Sequence, residues 1–424
     1  MRKGLWATML VWGVVLMCGA SAVYAGEVDL LVQKLVEKNI LSANEAQILL
    51  DDTRQEVAKQ NAKGTNDMLP AWIQTTKIKG DLRLRYQTQN KEASIMRNRG
   101  RVRYRLGIET KPNDQVTVGM GLASGGADPR STNQTFDASF AKGTINMDYA
   151  WGEYKPLSSF SVIGGKYNAI SKNYLWYTTD MMWDSDINQE GASAHLDIPN
   201  VLAGDAFLNA GYWVLEEEKS TPGDAGMYYA QAGMVFNPDP VTVKFAGTYY
   251  GTNMGKSFGV LQYRKDDNTA LTGNTSNTVV GGKYVYDFSQ MLSGSAEIAY
   301  NFPAETSSPI KMAAVFGDYV VNPDPSSQNS GWAAGLKFGY PKVAVAKDWQ
   351  LKYQYVSLGK DAWLDAFPDS DRYSGNTNIK GHELILDIGL AKNISLGLDW
   401  YMSDVLKGTK ADESVFQADI NMKF

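Results

Sequence analysis

The chain has 424 residues, a formal net charge of −5, two histidines and one cysteine, so it offers neither a disulfide framework nor a His/Cys metal cluster. A charge this modest gives no reason to expect a nucleic-acid partner. Tyrosine, phenylalanine and tryptophan number 23, 14 and 11, beside 40 glycines.

Arg2 and Lys3 precede an apolar run from Met9 to Met17, and small residues lead on to Val23-Tyr24-Ala25. A basic segment, a short apolar core and an A-x-A-like end are the parts of a secretory signal peptide, so residues 1–25 are expected to be cleaved after Ala25. A lipoprotein anchor at Cys18 is disfavoured because Met17 stands where a small residue is wanted. The mature chain would then have no cysteine.

Residues 26–59 read as periplasmic helix. Val28, Leu31, Val32, Leu35 and Val36 draw one apolar stripe at helical spacing. Ser42-Ala43-Asn44-Glu45 forms a capping box for a second helix carrying Ala46, Leu49, Leu50, Thr53 and Val57 on one face. A self-packed hairpin and a short coiled coil are equally compatible with that pattern. Residues 60–76 form a linker.

From residue 77 to 424 the period changes to two. Ile78, Gly80, Leu82, Leu84 and Tyr86 alternate with Lys77, Lys79, Asp81, Arg83, Arg85 and Gln87. Val102, Tyr104, Leu106 and Ile108 alternate with Arg101, Arg103, Arg105 and Glu109. Successive strand side chains point to opposite faces, so each segment has one apolar and one polar face. Strands are predicted at 77–87, 99–110, 114–122, 143–154, 159–167, 190–198, 206–215, 226–236, 240–250, 287–302, 310–322, 331–340, 349–358, 379–390, 394–403 and 413–424. Val279 to Phe288 is kept in a loop, because a further strand would break the parity. Short turns such as Asn237-Pro238-Asp239-Pro240 and Lys392-Asn393 alternate with long connections at 123–142, 168–189, 251–286 and 359–378. No run of about 18 apolar residues follows the leader, so no transmembrane helix is available. The fold class is all-β: an antiparallel transmembrane β-barrel of about sixteen strands, with both termini periplasmic. The last strand alternates to the end, with Phe416, Ala418, Ile420, Met422 and Phe424 on one face, and terminal Phe424 has the form of an outer-membrane assembly signal.

Gly80-Asp81-Leu82-Arg83-Leu84-Arg85-Tyr86 and Arg99-Gly100-Arg101-Val102-Arg103-Tyr104-Arg105-Leu106-Gly107 resemble the "putative porin" family of Gram-negative bacteria. Ser131-Thr132-Asn133-Gln134, Gly165-Lys166, Gly317-Asp318-Tyr319-Val320-Val321-Asn322 and Asp348-Trp349-Gln350-Leu351-Lys352-Tyr353-Gln354-Tyr355 fit as well. The resemblance covers nearly the whole mature chain. It implies a pore in the cell outer membrane and leaves the solute open.

Enzymatic chemistry finds no constellation. His195 and His382 belong to no zinc motif, and although Ser193-Ala194-His195 invites a hydrolase reading, nothing singles out the nucleophile, base and orienting residue that it would need. Gly164-Gly165-Lys166 lacks the rest of a phosphate loop, and Asp180, Asp184, Asp186 and Glu190 are not spaced as a calcium loop. No cofactor is implied. What stands out is a basic wall, Lys79, Arg83, Arg85, Arg101, Arg103 and Arg105. It must face the lumen, because arginine on the lipid side costs about 2–4 kcal/mol near the midplane. Asp180, Asp184 and Asp186 sit in the loop where general porins narrow their channel, so an acidic loop facing a basic wall is expected.

Two function classes are open to such a chain. One is a diffusion porin for small hydrophilic solutes, its wall charge favouring anions; the other is a non-conducting barrel serving as adhesin or envelope tether. Either would meet outer-membrane lipid and lipopolysaccharide and the barrel assembly machinery. A homo-oligomer, with a trimer as one form, is also expected.

Overall fold

A computed structural model of the chain describes residues 70–217, 224–256, 258–261, 275–303 and 308–424, with isolated positions between 32 and 50. The signal-peptide reading falls outside the described residues. The helical reading of 26–59 meets them only at scattered positions, Val32, Lys34, Leu35, Ala46, Leu49 and Leu50 in helix and Lys38 in a turn. The chain divides into two units, 1–74 and 75–424, and the second contains the barrel.

Among the described residues sixteen strands make its wall: β1 Lys77–Lys91, β2 Arg97–Asn113, β3 Val116–Ser124, β4 Ile145–Leu157, β5 Phe160–Tyr167, β6 Gln189–Val201, β7 Gly204–Glu216 and β8 Ala225–Phe236. β9 Val241–Thr252, β10 Met291–Asn301, β11 Met312–Val321, β12 Ser330–Gly339, β13 Trp349–Leu358, β14 Ile379–Ala391, β15 Ile394–Val405 and β16 Glu413–Lys423 complete it. Each pairs antiparallel with its sequence neighbour, and β16 returns to β1, with Asp81 opposite Lys423 and Lys91 opposite Glu413. The closure leaves no edge strand to satisfy. Gly80 and Phe424 exchange backbone hydrogen bonds of 2.9 and 3.0 Å at the seam.

The alternation decides which face is which. Ile78, Leu84, Tyr86, Met120, Tyr212 and Phe245 are exposed on the outer surface, while Arg85, Gln87 and Arg101 on the same strands as some of them are buried inside. At the seam the Phe424 ring covers Gly80, where any Cβ would stand 2.4 Å from the ring. Segment 279–288 stays out of the wall: Val279–Val280 and Lys283–Tyr284 form a small two-stranded hairpin within the long β9–β10 connection.

Three of the long connections fold back inside, where they make a hydrophobic core. Trp183 of the β5–β6 loop stacks on Phe367 of the β13–β14 loop at 4.7 Å and meets Trp363 edge-on at 5.6 Å and the wall residue Trp213 at 5.4 Å. Trp363 Nε1 donates to the Met182 carbonyl at 2.7 Å. From the β9–β10 loop, Thr278 Oγ1 donates to Asp361 and Asn277 Nδ2 to the carbonyls of Lys360 and Trp363. The backbone and hydroxyl of Thr179 both donate to Asp318 on β11 at 2.6 Å, tying the first loop to the wall. This plug rests on inner residues such as Tyr229, Tyr250, Met291, Val320 and Val356, all buried. Open space is left on the other side, against β1, β2 and β16. At the root of the first loop Gly165 has φ +116°, and a Cβ there would lie 2.3 Å from the Ala150 carbonyl, so glycine alone fits as the strand turns inward.

Candidate functional site

The arginines of β1 and β2 form a ladder in strict register. Arg83 stands opposite Arg103 and Arg85 opposite Arg101, arrangements that repel unless acids intervene. The acids come from the wall itself. Asp419 on β16 lies opposite Arg85 and takes a two-pronged hydrogen bond from its Nε and Nη2, both 2.8 Å. Asp81 lies opposite Arg105 and accepts from Arg103 Nε at 2.9 Å and Arg105 Nε at 2.7 Å. Such charge-assisted pairs fix the guanidinium planes as well as balancing them. Arg101 Nη1 donates to Gln87 at 3.3 Å. Lys79 sits nearer the mouth, more exposed, and pairs with Glu109 at 2.6 Å.

The loops supply the opposite side. Asp186 accepts from Arg105 Nη1 at 3.3 Å and from the Thr132 hydroxyl at 3.1 Å. Burial works against its carboxylate, but the charges of Arg103, Arg105 and Arg83 outweigh burial and hold its pKa below the ordinary value. Asp371 of the β13–β14 loop meets Arg85 Nη1 at 2.9 Å. Burial there is likewise overcome, by Arg85 and Arg101, and the carboxyl is pushed down to about 2.

The other two loop acids lie elsewhere. Asp184 is buried and accepts the backbone N–H of Ser370 and Asp186 at 2.9 Å each, so it fastens the two loops together. Burial and the neighbouring charges of Asp369 and Asp186 raise its pKa well above the usual carboxylate range. Asp180 lies near Lys352, Glu383 and Arg372, its carbonyl accepts the Asp369 N–H at 3.2 Å, and burial raises its pKa to about 6. Of the three acids named from sequence, Asp186 alone touches the ladder. Asp371, and the pairing of the ladder by Asp81 and Asp419, were missed. Both strand acids were visible as polar-face residues, and the antiparallel register would have placed them; Asp371 carried no comparable signal.

Ser193 Oγ takes hydrogen bonds from Tyr167 and Tyr229, while His195 Nε2 faces Asp197 at 3.0 Å, so the serine and histidine do not meet. Among the described residues no group of three or more His, Cys, Asp or Glu could hold a metal ion. Two cavities flank the ladder. One of about 640 Å³ lies toward the short-turn end, lined by Asp81, Arg103, Arg105, Asp148, Lys172 and Asp186 among others. The second, of about 330 Å³, lies toward the long-loop end, with Gln87, Arg99, Arg101, Arg130, Asn133 and Asp371 in its walls.

A closed sixteen-strand antiparallel wall, apolar outside and charged within, narrowed by its own infolded loops, defines a porin-type barrel. The chain belongs to the family described as "putative porin", whose model matches residues 88–279 and 292–424. Among solved structures, Pseudomonas putida OprB at high pH is similar at 11% identity, with 83% of this chain and 95% of that chain covered and a TM-score of 0.54, a likeness of fold. Salmonella typhi OmpF in complex with daunomycin gives 11%, 82%, 97% and 0.48, and the outer membrane channel DcaP of Acinetobacter baumannii 11%, 82%, 97% and 0.43. No curated protein matches the sequence.

Proposed function

We propose that this protein is a general outer-membrane porin, which passes small hydrophilic solutes along an off-axis path between the β1–β2–β16 wall and the infolded loops. The observation that carries the reading is the closed barrel with a paired arginine ladder on its inner wall and a cavity on either side of it, about 640 and 330 Å³, lined by charged side chains. A belt of exposed Ile78, Leu84, Met120 and Phe245 fits hydrocarbon and not water. In that setting the partners are lipid and lipopolysaccharide around the belt, with the assembly machinery reading the strand that ends at Phe424. The long-loop end faces outward and the short turns face the periplasm, the usual disposition in such barrels.

Lys79, Arg83, Arg85, Arg101, Arg103 and Arg105 line the path, and Asp186 narrows it. Around the waist the five arginines meet four acids, Asp81, Asp186, Asp371 and Asp419, which leaves about one net positive charge. Anion preference on this reading is weak, and size with hydrogen bonding does most of the sorting. Purified, heat-modifiable protein in a planar bilayer should give stable open steps. Folded protein that stays silent overturns the porin reading in favour of a tethering barrel.

A further inference from the structure

The β3–β4 loop, residues 125–144, belongs neither to the wall nor to the aromatic plug, yet it crosses the waist. Gln134–Thr135 pairs with Arg101–Val102 of β2, and the Phe136 N–H donates to the Gly100 carbonyl at 3.0 Å, which fixes one end. At the other end the Ser370 hydroxyl donates to the Arg130 carbonyl at 3.1 Å, and Arg130 Nη1 donates to the Asp365 carbonyl at 3.2 Å, so the β13–β14 loop holds it. Between these anchors lie Thr132 and Asn133, both buried. The Asn133 side-chain carbonyl oxygen accepts from Arg83 Nη2 at 2.7 Å. The Thr132 hydroxyl donates to Asp186 at 3.1 Å. One short segment therefore grips the basic wall with one residue and the acidic loop with the next.

The cavities show what that grip does. Asn133 lines the cavity on the long-loop side and Asp186 the one on the short-turn side, and no residue lines both. Arg83 lies on β1 between Asp81, which lines the short-turn cavity, and Gln87, which lines the long-loop one, and Thr132 joins Asp186 of the former to its own chain neighbour Asn133 of the latter. Arg83 has its closest carboxylate, Asp419, at 3.7 Å, longer than the contacts that hold Arg85, Arg103 and Arg105, and its Nε has no hydrogen-bond partner. It is the ladder arginine least committed to a carboxylate among those four. Asn133 offers it an oxygen of the same kind that a hydrated solute carries.

Resting on the porin reading above, we propose that Thr132 and Asn133 form a latch across the waist and are specificity-determining residues of the path, Asn133 masking Arg83 and Thr132 masking Asp186. Removing either mask exposes a charge, and the two charges have opposite sign. A latch of this kind predicts opposite changes in ion preference from two adjacent substitutions, whereas a segment that merely braces the barrel predicts the same loosening from both.

The test uses the full-length protein in planar bilayers with potassium chloride, reading unitary conductance and the reversal potential in a salt gradient. Asn133→Ala should raise conductance about twofold and move the permeability ratio toward anions, as an exposed fixed charge in a narrow pore does. Thr132→Ala should raise conductance and move the ratio toward cations, and Thr132→Ser, which keeps the hydroxyl, should match the parent. Shifts of the same sign in both alanine variants, or none in either while the protein stays heat-modifiable, overturn the latch. If Asn133→Ala does not assemble, the Thr132→Ala and Thr132→Ser pair decides alone. A conducting parent with unmoved variants sinks the latch only; a folded but silent parent sinks the porin reading and the latch together.

Discussion

Asp186 and Asp184 lie two residues apart in the same loop, and the structure gives them different consequences for ion selectivity. The perturbation is Asp186→Asn, compared with Asp184→Asn and Asp180→Asn. Asp186 contributes its charge directly to the ladder through Arg105. Neutralising it raises the net charge of the waist from about one to about two. A unit charge about 6 Å from a permeating ion is worth about 0.7 kcal/mol in a water-like dielectric. Screening at physiological salt roughly halves that, leaving nearly a twofold effect on each ion and about a threefold rise in the anion-to-cation permeability ratio. Asp184 is different: it is buried, accepts the backbone N–H groups of Ser370 and Asp186, and forms no ion pair with a ladder arginine among the described residues, while burial beside Asp369 raises its pKa and disfavours its charged form, so asparagine there should change the field at the waist little. Asp180 is remote from the ladder and should also leave the ratio unmoved. Reversal potentials in a salt gradient measure all three. Equal shifts from Asp184→Asn and Asp186→Asn, or no shift from Asp186→Asn in a conducting protein, would refute the reasoning. The converse change, Arg83, Arg101 and Arg103 to Ser, carries the waist to about two net negative charges and should reverse the preference toward cations.

Loop docking and barrel assembly can be tested in the same way. Asp369, raised to about 8 by burial with Asp371 and Glu383 nearby, sits where the infolded loops join. Its folded pKa is above its unfolded one, so its contribution to loop docking is full below about pH 4 and is lost as pH rises through about 8. Protease nicking of the β13–β14 loop should therefore increase progressively between about pH 4 and 8 and level off above that, and Asp369→Asn should flatten that profile; a profile unchanged by the substitution would exclude Asp369 as its source. Deleting Phe424 removes the ring over Gly80 and both backbone hydrogen bonds at the seam, so the yield of heat-modifiable barrel should fall severalfold, and a normal yield would refute the assembly role.

Legibility varied around the wall for a physical reason. On β1, β2 and β16 the inner face meets water and charge while the outer face is apolar, so alternation is clean and strand positions and faces could be read directly. On β8 the inner residues Ala225, Met227 and Tyr229 pack into the aromatic plug, so both faces are apolar and the period nearly vanishes from the segment Ala225–Phe236. Turn residues, not alternation, placed that strand. The waist was half legible. Cross-strand pairing follows from the alternating pattern once register is assumed, but Asp371 and Asn133 reach the ladder through loop conformations that no local pattern encodes. The family motif Ser131-Thr132-Asn133-Gln134 was recognisable as a string without its place in the lumen being readable.

Because the plug packs on inner residues from Trp151 of β4 and Ile163 of β5 round to Ile379 of β14, the circumference of the barrel does not set the calibre of the proposed path. That half of the lumen behaves as the interior of a water-soluble protein enclosed by a β-barrel wall, and changes to it act on stability. Trp183→Ala, for example, would leave a void among Trp213, Trp363 and Phe367 and cost stability. The opposite half can be retuned one side chain at a time without disturbing that interior. Girth and conduction are thus separate variables in this architecture. A relative with more or fewer strands on the plug side could keep the same passage, and one with identical girth could carry a different traffic.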